Sequence, residues 1–246
     1  MRIISLVFAV ILLMPSAYAA EPPLIIAVNN YAPPFVLQSA NQSSFGFDIS
    51  MMNYICKTLQ RSCQYKLMPF SQILQAVQDK QADAALGAIT ITADRAKLVN
   101  FSQPYLESLA RFMGRKELAN TPFNINMLVN KKVGVAANTV YPQVALASGA
   151  TAGDIIEYND LESVVEALQA GEIDLALVDD PTAEYWNIHS SGALIVLGKP
   201  FNYGFGLGIA VNQSNPVLLQ QINQALRQYH DSPQFKTDFD SYFNHF

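Results

Sequence analysis

Two segments of the chain place charged side chains directly after runs of small and β-branched residues. The segment GAITITADR opens from such a run into Thr90 and ends at Arg95, and the segment IDLALVDD reaches Asp179. An arginine guanidinium can form a bidentate pair with a carboxylate, and an aspartate can bind an ammonium group. Together the two segments carry the chemistry needed to hold a zwitterion such as a free amino acid.

Both segments belong to an alternation of short strands and helices. LIIAV predicts a strand, a helix follows with Asp48 as its cap, and YKLMPF predicts a second strand. SQILQAVQDKQ then predicts a helix capped by Ser71, and DAALGAI a third strand. This β-α-β-α-β order predicts an α/β layer with a largely parallel sheet. Ligands of such sheets bind at the carboxyl ends of the strands, which is where Arg95 and Asp179 stand.

The same unit occurs twice in the chain. FSQILQAVQDKQADAALGA and DLESVVEALQAGEIDLALVDD each predict a capped amphipathic helix, a polar turn, an aspartate and a short apolar strand. Aligning Asp83 with Asp174 places Ala88 opposite Asp179. Two such units predict two lobes with the ligand between them. A single larger sheet is the alternative, because a repeated βα pattern is common in α/β proteins.

The first twenty residues predict an exported protein. Arg2, an apolar run over residues 3–14 and the small-residue pattern at 17–19 match a secretory signal peptide cut after Ala19 or Ala20. The apolar run is shorter than the roughly 18 to 20 residues that span a bilayer. No later segment is long and apolar enough to do so, and we therefore expect a soluble mature product.

Charge and cysteine content narrow the function further. The formal charge of −5 becomes −6 when Arg2 leaves with the signal, which argues against nucleic acid and anionic membrane surfaces as partners. Cys56 and Cys63 are the two cysteines, and in an oxidising compartment such a pair can close a small loop. Free thiols or a metal half-site are the alternatives, although no nearby His or further Cys supports a metal. We expect a disulfide, no metal and no cofactor.

Five segments resemble those of the periplasmic solute-binding proteins of polar amino-acid ABC importers. This family includes the lysine/arginine/ornithine-, histidine-, glutamine- and arginine-binding proteins. The segments follow the family's order along the mature chain: FGFDISMMNYICKTL, GAITITADRAKLVNFSQPY, KKVGVAANTVY, GEIDLALVDD and FGLGIAV. The spacing of Cys56 and Cys63 is similar to that of a disulfide in basic amino-acid binders. The resemblance implies a monomeric periplasmic protein that delivers an amino acid to the membrane permease of an ABC transporter.

The resemblance also implies an α/β clamshell of two lobes, each a mostly parallel sheet flanked by helices, with a two-strand hinge. The expected division is a signal peptide at 1–20, lobe 1 at 21–110, lobe 2 at 111–202 and a return segment of lobe 1 at 203–246. Hinge closure requires backbone changes, which three glycines of the return segment permit: Gly204, Gly206 and Gly208.

Carried over residue by residue, the resemblance implies a set of ligand-binding residues. Arg95 would bind the α-carboxylate, with the Thr90 hydroxyl and the backbone at Ala88 beside it. Asp179 would bind the α-ammonium group, and Thr139 would add backbone and hydroxyl donors from lobe 2. Closing the lobes on the ligand would exclude water and so strengthen both charge pairs.

The ligand side chain would lie among Phe70, Tyr31 and Asn29. Tyr31 is displaced by one position from the family's tyrosine, and Ala32 occupies the expected place. A guanidinium stacked on these aromatics would gain about 0.5 to 2 kcal/mol. Asn29 stands where basic amino-acid binders carry an acidic residue, and an amide accepts cationic and neutral ligands alike. We expect arginine or another basic amino acid, with glutamine and histidine as alternatives.

Each assignment has a purely structural alternative. Arg95 could be a surface arginine paired with Asp94 or Glu107, and Asp179 could cap the helix that follows it. Phe70 could be part of the core, where phenylalanine usually lies.

A different function is also open on the same scaffold. Cyclohexadienyl dehydratases are secreted enzymes of this fold, in which an acid promotes loss of water and carbon dioxide. Their substrate prephenate has no ammonium group, so Asp179 in the amine-binding position favours binding without catalysis. The ligand-sensing domain of a receptor is a third hypothesis.

Overall fold

The computed structural model describes residues 21–244, so the predicted signal peptide lies outside the described residues. The strands are, in chain order, β1 (Leu24–Asn29), β2 (Leu37–Gln38), β3 (Ser44–Phe45), β4 (Cys63–Met68), β5 (Ala84–Leu86), β6 (Asn100–Phe101), β7 (Leu109–Arg115), β8 (Val133–Ala136), β9 (Ile155–Tyr158), β10 (Leu175–Asp179), β11 (Leu194–Asn202) and β12 (Ala210–Val211). The α-helices are α1 (Phe47–Thr58), α2 (Phe70–Gln78), α3 (Tyr141–Ala147), α4 (Leu161–Ala170), α5 (Asp180–His189), α6 (Pro216–His230) and α7 (Pro233–Phe243). Within residues 21–244, no helix has the length and apolar character to cross a membrane.

Ten of the twelve strands in residues 21–244 form two five-stranded sheets, which confirms the predicted two-lobed α/β architecture, and β2 and β3 pair with each other. The first sheet has the order β4-β1-β5-β12-β6, and the second has the order β11-β7-β10-β8-β9. In each sheet three neighbouring strands are parallel, and the fourth strand, β12 in the first sheet and β7 in the second, is antiparallel to them. The edge strand beyond it, β6 or β11, pairs antiparallel with that fourth strand. We call the unit built on the first sheet lobe 1 and the unit built on the second lobe 2.

The chain crosses between the lobes twice, and the two crossing segments run side by side. The first lies between β6 and β7 and the second between β11 and β12. Tyr203 donates its amide to the carbonyl of Ser108 at 3.1 Å. Gly204 and Gly206 have φ values of 63° and 90°. A Cβ on Gly204 would lie 2.5 Å from Thr90 Cγ2, so this crossing needs glycine for space as well as for its backbone conformation.

The core of lobe 1 packs beneath α1 and the two C-terminal helices. The rings of Phe47 and Tyr54 in α1 pack against Tyr229 of α6, and the aromatic residues of α7 pack against the same cluster. Cys56 of α1 is bonded to Cys63 at the start of β4, with 5.9 Å between their Cα atoms. This confirms the predicted disulfide, which ties the first helix to an edge strand of its sheet.

Two predicted helix caps are wrong. Gly46 precedes α1, and Asp48 lies within the first turn, fully buried, without capping the helix. Helix α2 begins at Phe70 after Pro69, so Ser71 lies inside the helix and makes no capping hydrogen bond. In lobe 2 the predicted capped start of α4 is confirmed, because the Asp160 carboxylate accepts the amide of Ser163 at 2.8 Å.

The aspartates that align in the two predicted units have the same local role. The Asp83 carboxylate accepts the Ile25 amide at 2.8 Å, which fixes the start of β5 to β1. The Asp174 carboxylate accepts the Lys132 amide at 3.0 Å, which fixes the start of β10 beside β8. Each lobe therefore anchors the strand that leads to the cleft with a carboxylate at its amino end.

Candidate functional site

A cavity of about 300 Å³ lies between the lobes, at the carboxyl ends of their parallel strands. Ligand pockets of open α/β sheets lie at this edge, where backbone groups are free. Lobe 1 contributes the ends of β1 and β5 with the start of α2, and lobe 2 contributes the turn after β8 with the starts of α4 and α5. The eight residues predicted to bind ligand all line this cavity: Asn29, Tyr31, Phe70, Ala88, Thr90, Arg95, Thr139 and Asp179.

Arg95 is held at the cavity wall by contacts from both lobes. Its amide donates to the Thr92 hydroxyl at 3.2 Å, which starts a short 3₁₀ turn. The guanidinium donates to the Thr90 carbonyl at 3.0 Å and to the Asn138 carbonyl of lobe 2 at 3.2 Å. It also lies 5.2 Å from the centre of the Phe70 ring. A guanidinium has five N–H donors, so these two bonds leave donors for a carboxylate.

The structural alternatives for Arg95 do not match its contacts. Asp94 pairs instead with Lys97, with 2.7 Å between Nζ and Oδ1. No ion pair joins Arg95 to Glu107 among the described residues. Arg95 therefore lies in the cleft without a carboxylate partner among the described residues.

The turn at Gly87 and Ala88 is organised by a buried carboxylate that sequence reasoning missed as a site residue. Asp48 Oδ2 accepts both backbone amides at 3.0 Å and the Tyr105 hydroxyl at 2.9 Å. Ala88 has a φ of 53°, an uncommon conformation for a residue with a side chain. Because Asp48 takes the Ala88 amide, the carbonyl is the backbone group left for a ligand at this position.

Asp48 has no exposed surface, and its Oδ1 has no hydrogen-bond partner among the described residues. Burial raises the pKa of Asp48 to about 7, although the hydrogen bonds to Ala88, Tyr105 and Gly87 act in the opposite direction. The signal available in the sequence was the position of Asp48 after glycine and phenylalanine, which we interpreted as a helix cap. Its actual partners lie 39 to 57 residues away.

Asp179 faces the cavity from lobe 2 and is tied to the hinge. Its Oδ1 accepts the Tyr203 hydroxyl at 2.8 Å, and the Tyr141 hydroxyl lies 2.7 Å from that of Tyr203. It makes no side-chain capping bond to α5. Burial raises the pKa of Asp179 to about 6, opposed by the hydrogen bonds from Tyr203 and Tyr141 and by the charge of Arg95. This carboxylate is therefore positioned to accept a cation.

Thr139 contributes less to the cavity than its sequence position predicts. Its hydroxyl donates to the Ala136 carbonyl at 2.5 Å and accepts the Tyr141 amide at 3.2 Å. The hydroxyl therefore shapes the turn between β8 and α3. The neighbouring Asn138, with a φ of 61°, is the residue whose carbonyl meets Arg95 across the cleft.

The cavity is also lined by aromatic and acidic residues. Tyr31 and Phe70 line it from lobe 1, and Asp160 and Glu162 line it from the start of α4 in lobe 2. Burial raises the pKa of Tyr31, and Tyr185 and the charge of Glu162 add to the effect. Asp160 is engaged as the cap of its helix, whereas Glu162 has no hydrogen bond or ion pair among residues 21–244. Glu162 was not predicted as a site residue, because a sequence cannot show that this helix start faces Tyr31.

No group of three or more His, Cys, Asp and Glu side chains within the described chain is arranged to hold a metal ion. Among the described residues, the charged groups that line the cleft are one guanidinium and three carboxylates, contributed by Arg95, Asp160, Glu162 and Asp179. They can bind a small molecule that carries both a carboxylate and one or more cationic groups.

Comparisons with known proteins agree with this arrangement. Residues 24–245 match the bacterial extracellular solute-binding proteins, family 3. The chain is 30% identical over 234 residues to the arginine-binding periplasmic protein of Mannheimia haemolytica, covering 94% of this chain and 95% of that relative.

Two solved structures share the fold over their length. An arginine transport system periplasmic binding protein from Legionella pneumophila superposes with a TM-score of 0.84 and 26% identity, covering 91% of this chain and 100% of that chain. An ancestral arginine-binding protein bound to glutamine superposes with a TM-score of 0.81 and 27% identity, covering 90% of this chain and 97% of that chain.

Proposed function

The chain belongs to the bacterial extracellular solute-binding proteins, family 3, and we propose that it captures a basic L-amino acid, arginine best, in the periplasm. It then delivers this amino acid to the membrane permease of an ABC importer. Glutamine and histidine are the alternative ligands.

The observation that carries this proposal is the placement of two opposite charges across one cavity. Arg95 comes from lobe 1 and Asp179 from lobe 2, and both line the same space of about 300 Å³. The α-carboxylate of an amino acid would take the free N–H donors of Arg95. Its α-ammonium group would bind Asp179 and the Ala88 carbonyl. Because the two charges belong to different lobes, one zwitterion satisfies both only when the lobes are closed.

The preference for a basic side chain rests on the aromatic and acidic residues that line the cavity. Lobe 1 has Asn29 at the position where basic amino-acid binders carry an acidic residue. Glu162 and Asp160 of lobe 2 supply negative charge to the cavity instead. Phe70 and Tyr31 add aromatic surface on which a guanidinium can stack. The similarity to an arginine-binding periplasmic protein supports arginine as the ligand. The similarity to an ancestral arginine-binding protein bound to glutamine supports glutamine as the alternative ligand.

The experiment that tests the function is a calorimetric panel of the twenty L-amino acids plus ornithine, on protein unfolded and refolded to remove carried ligand. We expect the largest binding heat and the highest affinity with arginine, lysine or ornithine. Ligand at a hundredfold excess over Kd should also raise stability by about 2.7 kcal/mol, visible as a rise in Tm. Binding of glutamine or an acidic amino acid without any basic one would contradict the basic-ligand proposal.

The dehydratase hypothesis makes a different prediction for the same protein. A dehydratase would convert prephenate or arogenate, whereas a binding protein should leave both unchanged on incubation, as measured by absorbance of the aromatic products. Relatives are named as binding proteins, and Asp179 suits an ammonium group that prephenate lacks. Turnover abolished by Asp179→Ala would overturn the binding proposal.

The proposed lobes are residues 21–110 with 203–246, and residues 111–202, except that β7 begins at Leu109 and its first two residues pair within the sheet of lobe 2. We further propose that the exported protein is a monomer, which light scattering on a size-exclusion column tests.

A further inference from the structure

Helix α5 of lobe 2 and the loop after β1 of lobe 1 are joined directly across the cleft. The Thr182 hydroxyl donates to the carbonyl of Pro33 at 2.6 Å, between residues 149 apart in the chain. Thr182 is only 2% exposed. Three residues further along α5, Tyr185 shares a side-chain hydrogen bond with Tyr31 of the same loop. Residues three apart on a helix lie on one face, so one face of α5 makes both contacts.

This contact exists only while the lobes are together. Thr182 and Pro33 belong to units built on separate sheets that are linked by two crossing segments. Rotation about those segments would separate the hydroxyl from the carbonyl and expose both to water. Each group would then be hydrogen bonded to solvent in the open form and to the other in the closed form. A buried hydrogen bond of this kind stabilises the closed form relative to the open one.

The contact is separate from the charges proposed to bind the ligand. Thr182 lines the cavity, but its hydroxyl is engaged by Pro33. Pro33 itself is buried and does not line the cavity. A change that removes this bond therefore leaves Arg95 and Asp179 in place.

We propose that Thr182 is a positioning residue for ligand capture, whose hydrogen bond to Pro33 holds the lobes closed and sets the affinity for every ligand by a common factor. Apparent affinity scales with the fraction of protein in the binding-competent form. Lowering the closed fraction weakens all ligands equally and leaves their ranking unchanged. The affinity readout rests on the proposed amino-acid binding, whereas the contact itself does not.

The test compares Thr182→Val, which keeps the shape and removes the hydroxyl, with Thr182→Ser, which keeps the hydroxyl. Thr237→Val is a matched control, because the Thr237 hydroxyl also donates to a proline carbonyl, that of Pro233, but within helix α7 of lobe 1. Affinities for arginine, lysine and glutamine are measured by calorimetry. Amide hydrogen exchange of the 29–38 segment, which contains Pro33, is measured without added amino acid.

We expect Thr182→Val to weaken all amino acids that bind by the same factor of about five to ten, mainly through a faster off-rate. Exchange in the 29–38 segment should rise, and Thr182→Ser should restore both measurements. Thr237→Val should change neither. Affinity within twofold of the unmodified protein, or a loss confined to one amino acid, would overturn the proposal.

Failure of the proposed function gives a different pattern. If the unmodified protein binds none of the amino acids, that function fails, and the exchange data alone decide the role of Thr182. Unchanged exchange in Thr182→Val then counts against the contact. If Thr182→Val does not fold, Tyr185→Phe replaces it, since removing that hydroxyl weakens the second bond between the same helix and loop.

Discussion

The two strands that lead into the cleft, β5 of lobe 1 and β10 of lobe 2, begin alike and end differently. At their amino ends Asp83 accepts the amide of Ile25 in β1, and Asp174 accepts the amide of Lys132, directly before β8. At its carboxyl end β5 turns through Gly87 and Ala88, whose amides are taken by the buried Asp48. At the corresponding point β10 presents the carboxylate of Asp179 directly to the cavity.

The difference shows how one supersecondary unit can present opposite chemistry. In lobe 1 the carboxylate of Asp48 binds backbone amides of its own lobe, whereas Ala88 and the guanidinium of Arg95 line the cavity. In lobe 2 the carboxylate of Asp179 itself lines the cavity and accepts a hydrogen bond from Tyr203. An anion and a cation on a single lobe would neutralise each other before a ligand arrived. Placing them on different lobes makes both available to a zwitterion.

The largest expected effect on ligand affinity comes from removing the Arg95 guanidinium of lobe 1. Arg95→Ala should weaken arginine binding by about a hundredfold to a thousandfold, because the α-carboxylate would lie in the closed cleft without its partner. Calorimetry with arginine and with agmatine, which lacks the carboxylate, measures the effect. The variant should lose the preference for arginine over agmatine. Arg227→Ala on the exposed face of α6 is the control, and retention of arginine affinity within tenfold in Arg95→Ala would refute the assignment.

The contribution of the Asp179 carboxylate in lobe 2 should be measurable as a pH dependence of ligand affinity. A proton and the ligand's ammonium group compete for Asp179, whose pKa is raised to about 6 in the free cleft. Affinity should therefore be constant above pH 6 to 7 and fall about tenfold per pH unit well below 6. The guanidinium of Arg95 stays charged throughout this range. Calorimetry from pH 4.5 to 8 measures the profile.

Tyr203→Phe sharpens this pH experiment. The Tyr203 hydroxyl stabilises the ionised Asp179, so removing it should raise the pKa and move the midpoint of the profile to higher pH. Tyr54→Phe, which removes a hydroxyl from the outside of lobe 1, should leave the midpoint where it is. A midpoint that does not move in Tyr203→Phe would show that the hinge tyrosine does not tune the carboxylate.

The similar aspartate contacts at the amino ends of β5 and β10 predict a smaller effect, on stability, of the same size in both lobes. Asp83→Ala and Asp174→Ala should each lower the free energy of unfolding by about 1 to 2 kcal/mol, because each leaves one backbone amide without its carboxylate. Urea denaturation measures this, and the order of preference among amino acids should be unchanged in both. A loss in one variant only would mean that the two units are alike in sequence pattern but not in energetics.

The smallest effect on ligand affinity is expected from removing the charge of Glu162, which lines the cavity. Glu162→Gln should weaken arginine, lysine and ornithine by about twofold to fivefold, because an exposed charge contributes little, and should leave glutamine unchanged. Glu166→Gln, one turn further along α4 and exposed, is the matched control. An equal loss for glutamine would remove Glu162 from the basis of side-chain preference.

Local patterns predicted the elements around the site but not every contact within them. The alternation of strands and helices, the Cys56–Cys63 disulfide and the Asp160 cap depend on residues close in sequence, and the structure confirms each. The predicted caps at Asp48 and Ser71 were wrong for two reasons: distant groups bind the Asp48 carboxylate, and α2 already begins at Phe70, before Ser71. A polar residue near a helix start favours capping only if no stronger distant partner takes its side chain and the preceding residue permits the turn.

The sequence by itself determined which charges stand at the two strand ends and that they belong to similar units. Apolar periodicity and the chemical identity of Arg95 and Asp179 are local properties, so they are legible without a structure. Only the tertiary structure decided which polar groups are free to act. It engages the Thr139 hydroxyl within its own turn and turns Glu162 toward the cavity. It also brings Thr182 to Pro33, because contacts between residues 149 apart depend on how two lobes close and leave no local trace in the chain.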